Sequence, residues 1–123
     1  MIKRGTKLLV CDNTGAKVAK CIGMPGASKK LTAYLGDEIT VVIKEAEPKK
    51  QVKEHEIYRA VIVRTKKEYR RKDGSYIRFG DNACVLIDKN LKTPLGNRIW
   101  GPIAREVKEK GYDKVASLAQ VIL

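Results

Sequence analysis

The sequence predicts a mainly β protein, a small barrel or sandwich with two short α-helices at its carboxyl end. Short segments rich in apolar and β-branched residues recur roughly every ten residues, separated by Gly, Pro, Asn and Asp, which is typical of such folds. A helical period begins only after about residue 100. The 123 residues are expected to form one domain, 1–123, with the barrel over about 1–100 and the helical region over about 101–123.

Five segments are predicted to be strands, at residues 7–11, 17–22, 37–44, 57–64 and 83–88. The third alternates most clearly, since Ile39, Val41 and Ile43 share one face. The second alternates imperfectly. The fourth is a nearly continuous apolar run, which is typical of a strand buried on both faces, as in the wall of a closed barrel.

Two short helices are predicted near the carboxyl end. Pro102 suits the first position of a helix, Ile103 and Val107 are four residues apart, and Gly111 is a typical stop. Asp113 is a suitable cap for the second helix.

The charge balance indicates a polyanionic partner. The formal net charge is +12 and the pI is about 9.8, and self-repulsion at that level disfavours the compact state. Nucleic acid is the first candidate partner and an anionic membrane surface the second.

No apolar run approaches the roughly 20 residues that span a bilayer, and the amino terminus lacks a signal-peptide pattern. The chain is therefore expected to act where it is made, or to be already processed.

The residues that usually carry catalysis do not assemble into a site. His55 is the single histidine, and Cys11, Cys21 and Cys84 form no CxxC pair, so no tetrahedral zinc set is available. Adjacent acids on a strand point to opposite faces and make a poor acid–base couple. The sequence therefore predicts no enzyme, no cofactor, no metal site and no small-molecule substrate. The cysteines are expected to be small buried hydrophobes in a reducing environment.

The stretch RTKKEYRRKDGSYIRFGDNA, residues 64–83, predicts a basic β-hairpin. Asp73-Gly74 is a tight-turn signal, which gives arms of about 65–72 and 75–79. Because side chains alternate across a ribbon, cations are expected on both faces; this suits insertion between RNA segments and disfavours packing on the barrel. The alternative is an edge ribbon that charge protects from aggregation. The cations of the first arm are Arg64, Lys66, Lys67, Arg70, Arg71 and Lys72.

Tyr69 and Tyr76 lie in the same hairpin and have two candidate roles. They could stack on exposed bases or pack against each other across the ribbon, and packing is the favoured interpretation. Further basic residues spread over other loops, Lys29 and Lys30 among them, and there is no basic recognition helix. Structured RNA, recognised by shape and phosphate position, fits this distribution best.

The chain also resembles a known family over essentially its whole length. It is similar to the universal large-subunit ribosomal protein L-fourteen family, of the bacterial or organellar type, in DNTGAK, GDEITVVIKEAEP, RAVIVRTKKEYRRKDGSYIRFGDNACVLI, NRIWGPIARE and VASLAQVIL. The resemblance implies a small five-stranded β-barrel with a projecting basic β-hairpin and two short carboxyl-terminal helices. Asn97 and Trp100 depart from the Thr and Phe that are usual in that family.

The resemblance also implies function and partners. Such a protein is a structural constituent of the large ribosomal subunit, binds large-subunit (23S-type) rRNA directly and contributes to intersubunit bridges with small-subunit rRNA. The implied protein partners are ribosomal protein L-nineteen and a ribosome silencing factor. The implied location is the ribosome, in a bacterial cytoplasm or in the interior of a plastid or mitochondrion. A free-standing RNA-binding barrel, either an RNA chaperone or a regulator, is the alternative function.

Two sets of residues are predicted to carry these contacts. By resemblance to the family, the surface that meets protein partners and forms the bridge is expected to include Asn97, Arg98 and Lys114. The rRNA-binding candidates are Arg64, Lys66, Lys67, Arg70, Arg71, Lys72, Arg78, Lys44, Lys49, Lys50 and Lys53.

Overall fold

A computed structural model of the protein describes residues 1–25 and 31–123. The secondary structure of these ranges consists of short strands and two short helices. In chain order the elements are β1 (Lys7–Val10), β2 (Ala16–Gly23), β3 (Glu38–Ala46), β4 (Ile57–Arg64), β5 (Tyr69–Arg70), β6 (Tyr76–Ile77), β7 (Ala83–Ile87), β8 (Pro102–Ile103), α1 (Arg105–Glu109), α2 (Asp113–Leu118) and β9 (Val121–Ile122). Neither helix in the described ranges has the length and apolarity to cross a membrane.

Five strands close into a barrel in the order β1-β2-β3-β4-β7. Neighbouring strands are antiparallel except β1 and β7, which pair in parallel with Leu9 opposite Ala83. The predicted mainly β fold is confirmed, and the closed barrel is the form it takes. Strand β2 carries register shifts against β3, and these irregularities explain why its sequence alternates imperfectly.

The barrel interior is filled by inward side chains of all five strands. Ile39, Val41 and Ile43 of β3 are fully buried there, as their period-two pattern predicts. Cys21 and Cys84 lie in the same core, and burial raises the pKa of both thiols. A buried thiol is a poor nucleophile because the thiolate is the reactive form, so these cysteines act as small hydrophobes, as predicted.

The outer face of β4 and β7 is covered by the carboxyl-terminal segment. Val61 and Val63 of β4 lie with Ile103, Val107 and Val115 in a second apolar cluster, outside the barrel. Every position from the middle of β4 to its end is buried, so the predicted burial of this strand on both faces is confirmed. Its inner side faces the barrel core and its outer side faces the helical segment.

The helices begin later than the sequence predicts. Pro102 lies in β8, which pairs with β9, and α1 begins only at Arg105. Asp113 is the first residue of α2 rather than its cap, since Tyr112 occupies the cap position without a side-chain hydrogen bond. Gly111 follows α1 with φ of +96°, a left-handed conformation that glycine commonly supplies after a helix.

Asp12 ties the turn between β1 and β2 to β7. Its Oδ1 accepts hydrogen bonds from the Thr14 amide (3.2 Å) and hydroxyl (2.6 Å), and its Oδ2 accepts one from the Leu86 amide (3.0 Å). Desolvation of the buried carboxyl raises the pKa of Asp12, although these donors act in the opposite direction. The turn and the barrel wall therefore share one carboxylate.

We expect Asp12→Asn to destabilise the fold by about 1–3 kcal/mol at neutral pH, because the amide nitrogen would face a backbone donor and leave it unsatisfied. The penalty should grow on acidification. An acid whose pKa is raised by folding stabilises the folded state when it is protonated. This gain begins near the folded pKa and is complete below the unfolded value of roughly 3.9, and asparagine cannot provide it. Urea unfolding of both proteins at neutral and mildly acidic pH measures the difference. A penalty that shrinks as the pH falls would contradict this account.

Candidate nucleic-acid interface

The basic hairpin forms a separate two-stranded sheet, β5 paired with β6, outside the barrel wall. We call residues 69–79 the ribbon. Gly74 at its turn has φ of +89°, and Asp73 Oδ1 accepts hydrogen bonds from the Ser75 amide (2.9 Å) and hydroxyl (2.6 Å). These bonds lower the pKa of Asp73. Regular pairing covers only two residues in each strand, so the arms are shorter than predicted.

One face of the ribbon packs against the barrel. Tyr69, Ile77 and Phe79 are partly buried against the barrel core, and the Tyr69 ring lies 6.0 Å from that of Tyr34 at an interplanar angle of 51°. The favoured prediction that Tyr69 packs on Tyr76 is wrong. Tyr69 pairs with Ile77 across the ribbon, so Tyr76, the residue before Ile77, points to the opposite face.

Arg71 belongs to this docked face. Its guanidinium forms two hydrogen bonds to the Glu106 carboxylate of α1 (Nε to Oε2 3.0 Å, Nη2 to Oε1 3.1 Å) and a third to the backbone oxygen of Leu123 (2.6 Å). Both charged side chains are only 10% exposed. The expectation of free cations on both faces of the ribbon is therefore wrong, because Arg71 fixes the ribbon to α1 instead of presenting its charge to solvent.

Arg64 is likewise committed to the protein itself. Its Nε donates to Asp81 Oδ1 (2.8 Å), and its Nη1 donates to the backbone oxygens of Trp100 (3.0 Å) and Pro102 (3.1 Å). The residue is buried. Gly101 lies between the two carbonyl groups with φ of +78°, and a Cβ there would overlap Nη1. The sequence predicts that Arg64 binds RNA. In the structure, acceptors of the protein itself occupy its guanidinium.

The opposite face of the ribbon carries exposed cations. Arg70 pairs directly with Tyr76 across the two strands, Arg78 lies between Ile77 and Phe79, which pack on the core, and Lys72 lies in the turn after β5. All four residues are exposed, Tyr76 to 64%. We call Arg70, Lys72, Tyr76 and Arg78 the outward ribbon face.

The other predicted cations divide between the two ends of the barrel. Lys66 and Lys67 are exposed at the base of the hairpin, which connects the end of β4 with β7. The loop 47–56 connects β3 with the start of β4 and therefore lies at the opposite end. The predicted rRNA-binding cations that are exposed toward that opposite end are Lys44, Lys49, Lys50 and Lys53. Lys29 and Lys30 lie outside the described residues.

Asn97, Arg98 and Lys114, the predicted partner surface, are all exposed. Asn13 Oδ1 accepts hydrogen bonds from the Asn97 and Arg98 amides (2.9 and 3.1 Å), and Asn13 Nδ2 donates to the Asn97 side chain. These bonds attach the loop to the turn between β1 and β2. Arg98 and Lys114 are each followed by a residue of the apolar cluster outside the barrel, so one cluster supports both positions.

Among the described residues, no group of three or more His, Cys, Asp or Glu side chains is placed to hold a metal ion. His55 is exposed in the loop that follows β3. Burial raises the pKa of Cys11 to about 12, so this thiol is not prepared for nucleophilic attack. The arrangement of charged residues suits the binding of an anion rather than a reaction.

Comparison with known proteins agrees with the geometry. All of the chain, residues 1–123, matches the family model of Ribosomal protein L14p/L23e. The chain belongs to this family. Proteins of the L14p/L23e family are structural, so the protein is not an enzyme.

Three relatives show how close the match is. Each carries the name large ribosomal subunit protein uL14. The protein of Aquifex aeolicus (strain VF5) is 56% identical over 123 residues, 100% of both chains. That of Petrotoga mobilis (strain DSM 10674 / SJ95) is 53% identical over 122 residues, 99% of both chains. That of Aquifex pyrophilus is 55% identical over 123 residues, 100% of both chains.

Sequence reasoning missed Glu106 and Asp81, the acidic partners of Arg71 and Arg64. They are 35 and 17 residues away from these arginines along the chain, so no local charge pattern pairs them. The period-two alternation of the ribbon was a usable signal, because it places Arg71 on the face opposite Arg70 and Lys72.

Arg71→Glu is expected to destabilise this L14p/L23e family member by about 3–5 kcal/mol, because it leaves Glu106 without its partner and sets two buried carboxylates together. Adding Glu106→Arg should recover part of the loss. The ion pair would be restored with reversed charges, while the Leu123 oxygen would lose its donor. Urea unfolding of the two single variants and the double variant gives the coupling energy.

Arg70→Glu is the matched control, since it makes the same change at an exposed neighbouring position. Its unfolding free energy should stay within about 0.5 kcal/mol of the parent. Equal losses at the two positions, or no recovery in the double variant, would show that the Arg71–Glu106 pair does not hold the ribbon.

Proposed function

We propose that this protein is a structural constituent of the large ribosomal subunit and binds large-subunit rRNA through the outward ribbon face. The observation that carries the proposal is the division of the ribbon. Tyr69 and Arg71 dock one face on the protein, and the other face presents Arg70 and Arg78 beside the exposed Tyr76 ring, with Lys72 in the adjoining turn. Family membership and the names of the relatives support the ribosomal setting.

Phosphate groups are the ligands that this face is suited to bind. Arg70 and Arg78 each present a planar guanidinium that holds a phosphate through two hydrogen bonds, and Lys72 adds a point charge. Because Arg71 and Glu106 already fix the ribbon, less conformational freedom is lost on binding than for a mobile arm. Recognition would then depend on the position and shape of the RNA backbone.

The excess charge supports a partner that surrounds the protein. Each ion pair between described residues joins one positive and one negative side chain. Such pairs therefore leave the net charge of +12 unchanged. Phosphates of rRNA would offset it. A second RNA segment is proposed at the opposite end of the barrel, against Lys44, Lys49, Lys50 and Lys53.

The surface formed by Asn97, Arg98 and Lys114 is proposed to meet the remaining partners. By resemblance to the family these are small-subunit rRNA at an intersubunit bridge, ribosomal protein L-nineteen and a ribosome silencing factor. The hydrogen bonds that the Asn97 and Arg98 amides donate to Asn13 Oδ1 support this assignment, because they hold the backbone of this loop in place.

Sedimentation of the tagged chain through a gradient in moderately high salt tests the ribosomal assignment. Co-migration with the large subunit, near one copy for each subunit, is the expected result. Migration at the top of the gradient, or release in mild salt, would instead favour a free-standing RNA-binding barrel that acts as a chaperone or regulator.

The double substitution Arg70→Gln and Arg78→Gln is expected to flatten the salt dependence of binding to protein-free large-subunit rRNA. Each phosphate contact contributes about 0.7 to 0.9 to the slope of log affinity against log salt, so two lost contacts lower it by about 1.4 to 1.8. Filter binding over a salt series measures the slope.

The matched control is Lys7→Gln with Lys108→Gln, which removes the same charge from exposed positions outside both proposed RNA surfaces. This pair should leave the slope nearly unchanged. Equal reductions in the two double variants would assign the effect to net charge and not to the outward ribbon face.

A further inference from the structure

Tyr76 is a large aromatic residue that the fold leaves in solvent. It is 64% exposed, whereas Tyr69 on the other face of the ribbon packs on Tyr34. Tyr76 also occupies the centre of the outward ribbon face. Arg70 is directly opposite it on the neighbouring strand, and Arg78 is two residues farther along the chain, just beyond β6, exposed between Ile77 and Phe79, which pack on the core.

The spacing of these three side chains resembles that of the parts of a nucleotide. Directly opposed residues on paired strands have Cβ atoms about 4.5–5.5 Å apart, and residues two positions apart along a strand are separated by about 6.6–6.8 Å. Tyr76 therefore has a guanidinium-bearing neighbour across the ribbon and another along it. A nucleotide likewise has a flat base with a backbone phosphate on either side.

We propose that Tyr76 stacks on an unpaired base of the rRNA while Arg70 and Arg78 hold the adjoining phosphates. The inference rests on the proposed function and names the kind of RNA that this face selects. Aromatic stacking tolerates any base, since every base has a π-face, so the selection is for an unpaired nucleotide and not for a sequence. A continuous duplex keeps its base faces covered and would engage only the cations.

The position of the ring argues against a purely protective ribbon. An exposed strand edge is kept from aggregating by charge alone, and Arg70, Lys72 and Arg78 already supply that charge. An exposed aromatic ring among them adds nothing to such protection. It does add a flat surface that can exclude water against a base.

A fluorescent reporter at position 76 tests the contact directly. Trp100 is the single tryptophan, so Trp100→Phe gives a silent parent into which Tyr76→Trp is introduced. Addition of protein-free large-subunit rRNA is expected to quench more than half of the emission, because the indole would stack on a base. Gln120→Trp in the same parent is the control: this neutral residue is exposed between α2 and β9, outside the proposed RNA surfaces, and an indole there should keep its emission.

Two further substitutions separate stacking from charge. Tyr76→Ala should weaken binding to the same rRNA roughly 5- to 150-fold, the range measured for loss of one stacked base, with the salt dependence unchanged. Tyr76→Phe keeps the ring and should bind like the unsubstituted protein. A loss in the phenylalanine variant as large as that in the alanine variant would contradict stacking.

The fluorescence outcomes also distinguish this inference from the proposed function. If the Trp100→Phe parent binds rRNA normally but the Tyr76→Trp variant is not quenched, stacking is overturned and the phosphate-binding ribbon stands. Quenching of equal depth in the Gln120→Trp control overturns stacking as well. If neither the unsubstituted protein nor the parent binds rRNA, the proposed function itself fails.

Discussion

The buried guanidinium of Arg64 holds together the three parts of the molecule: the barrel, the hairpin and the carboxyl-terminal segment. It extends from the end of β4 and satisfies Asp81 and the carbonyl groups of Trp100 and Pro102 at the same time. A lysine could not make this set of contacts, because one ammonium group lacks the planar fork of donors. Gly101 belongs to the same arrangement, since its left-handed φ and missing Cβ let the chain pass close to Nη1.

Arg71 repeats this use of arginine at the ribbon, where Glu106 and the backbone oxygen of Leu123 converge on one guanidinium. Arg64 and Arg71 differ from the neighbouring Arg70 in the acceptors around them and not in residue type. Several acceptors close together in a buried space favour a group with several fixed donors. Consequently the ribbon is attached through one face, and the charge that remains available to a partner lies on the other.

The sequence predicts the parts of the fold whose pattern is local. The period-two spacing of Ile39, Val41 and Ile43 identifies β3 and its inner face, and the apolar run of β4 indicates burial on both sides. The prediction fails where distant residues decide the outcome. Pro102 has the local character of a first helical residue, yet β9 pairs with its strand and the helix begins later. The ion pair of Arg71 depends on Glu106, which only the folded chain brings near.

Counting the cations of the hairpin therefore overstates the charge that is available to a partner, whereas the alternation of its side chains identifies the face on which that charge lies. The same alternation explains why Tyr69 and Tyr76, seven residues apart, have different environments: one contributes to packing and the other lies among cations in solvent. Internal ion pairs cannot reduce the net charge of +12. A partner that binds the folded state alone stabilises it by mass action, so an anionic partner bound to this charged surface would stabilise the fold as well.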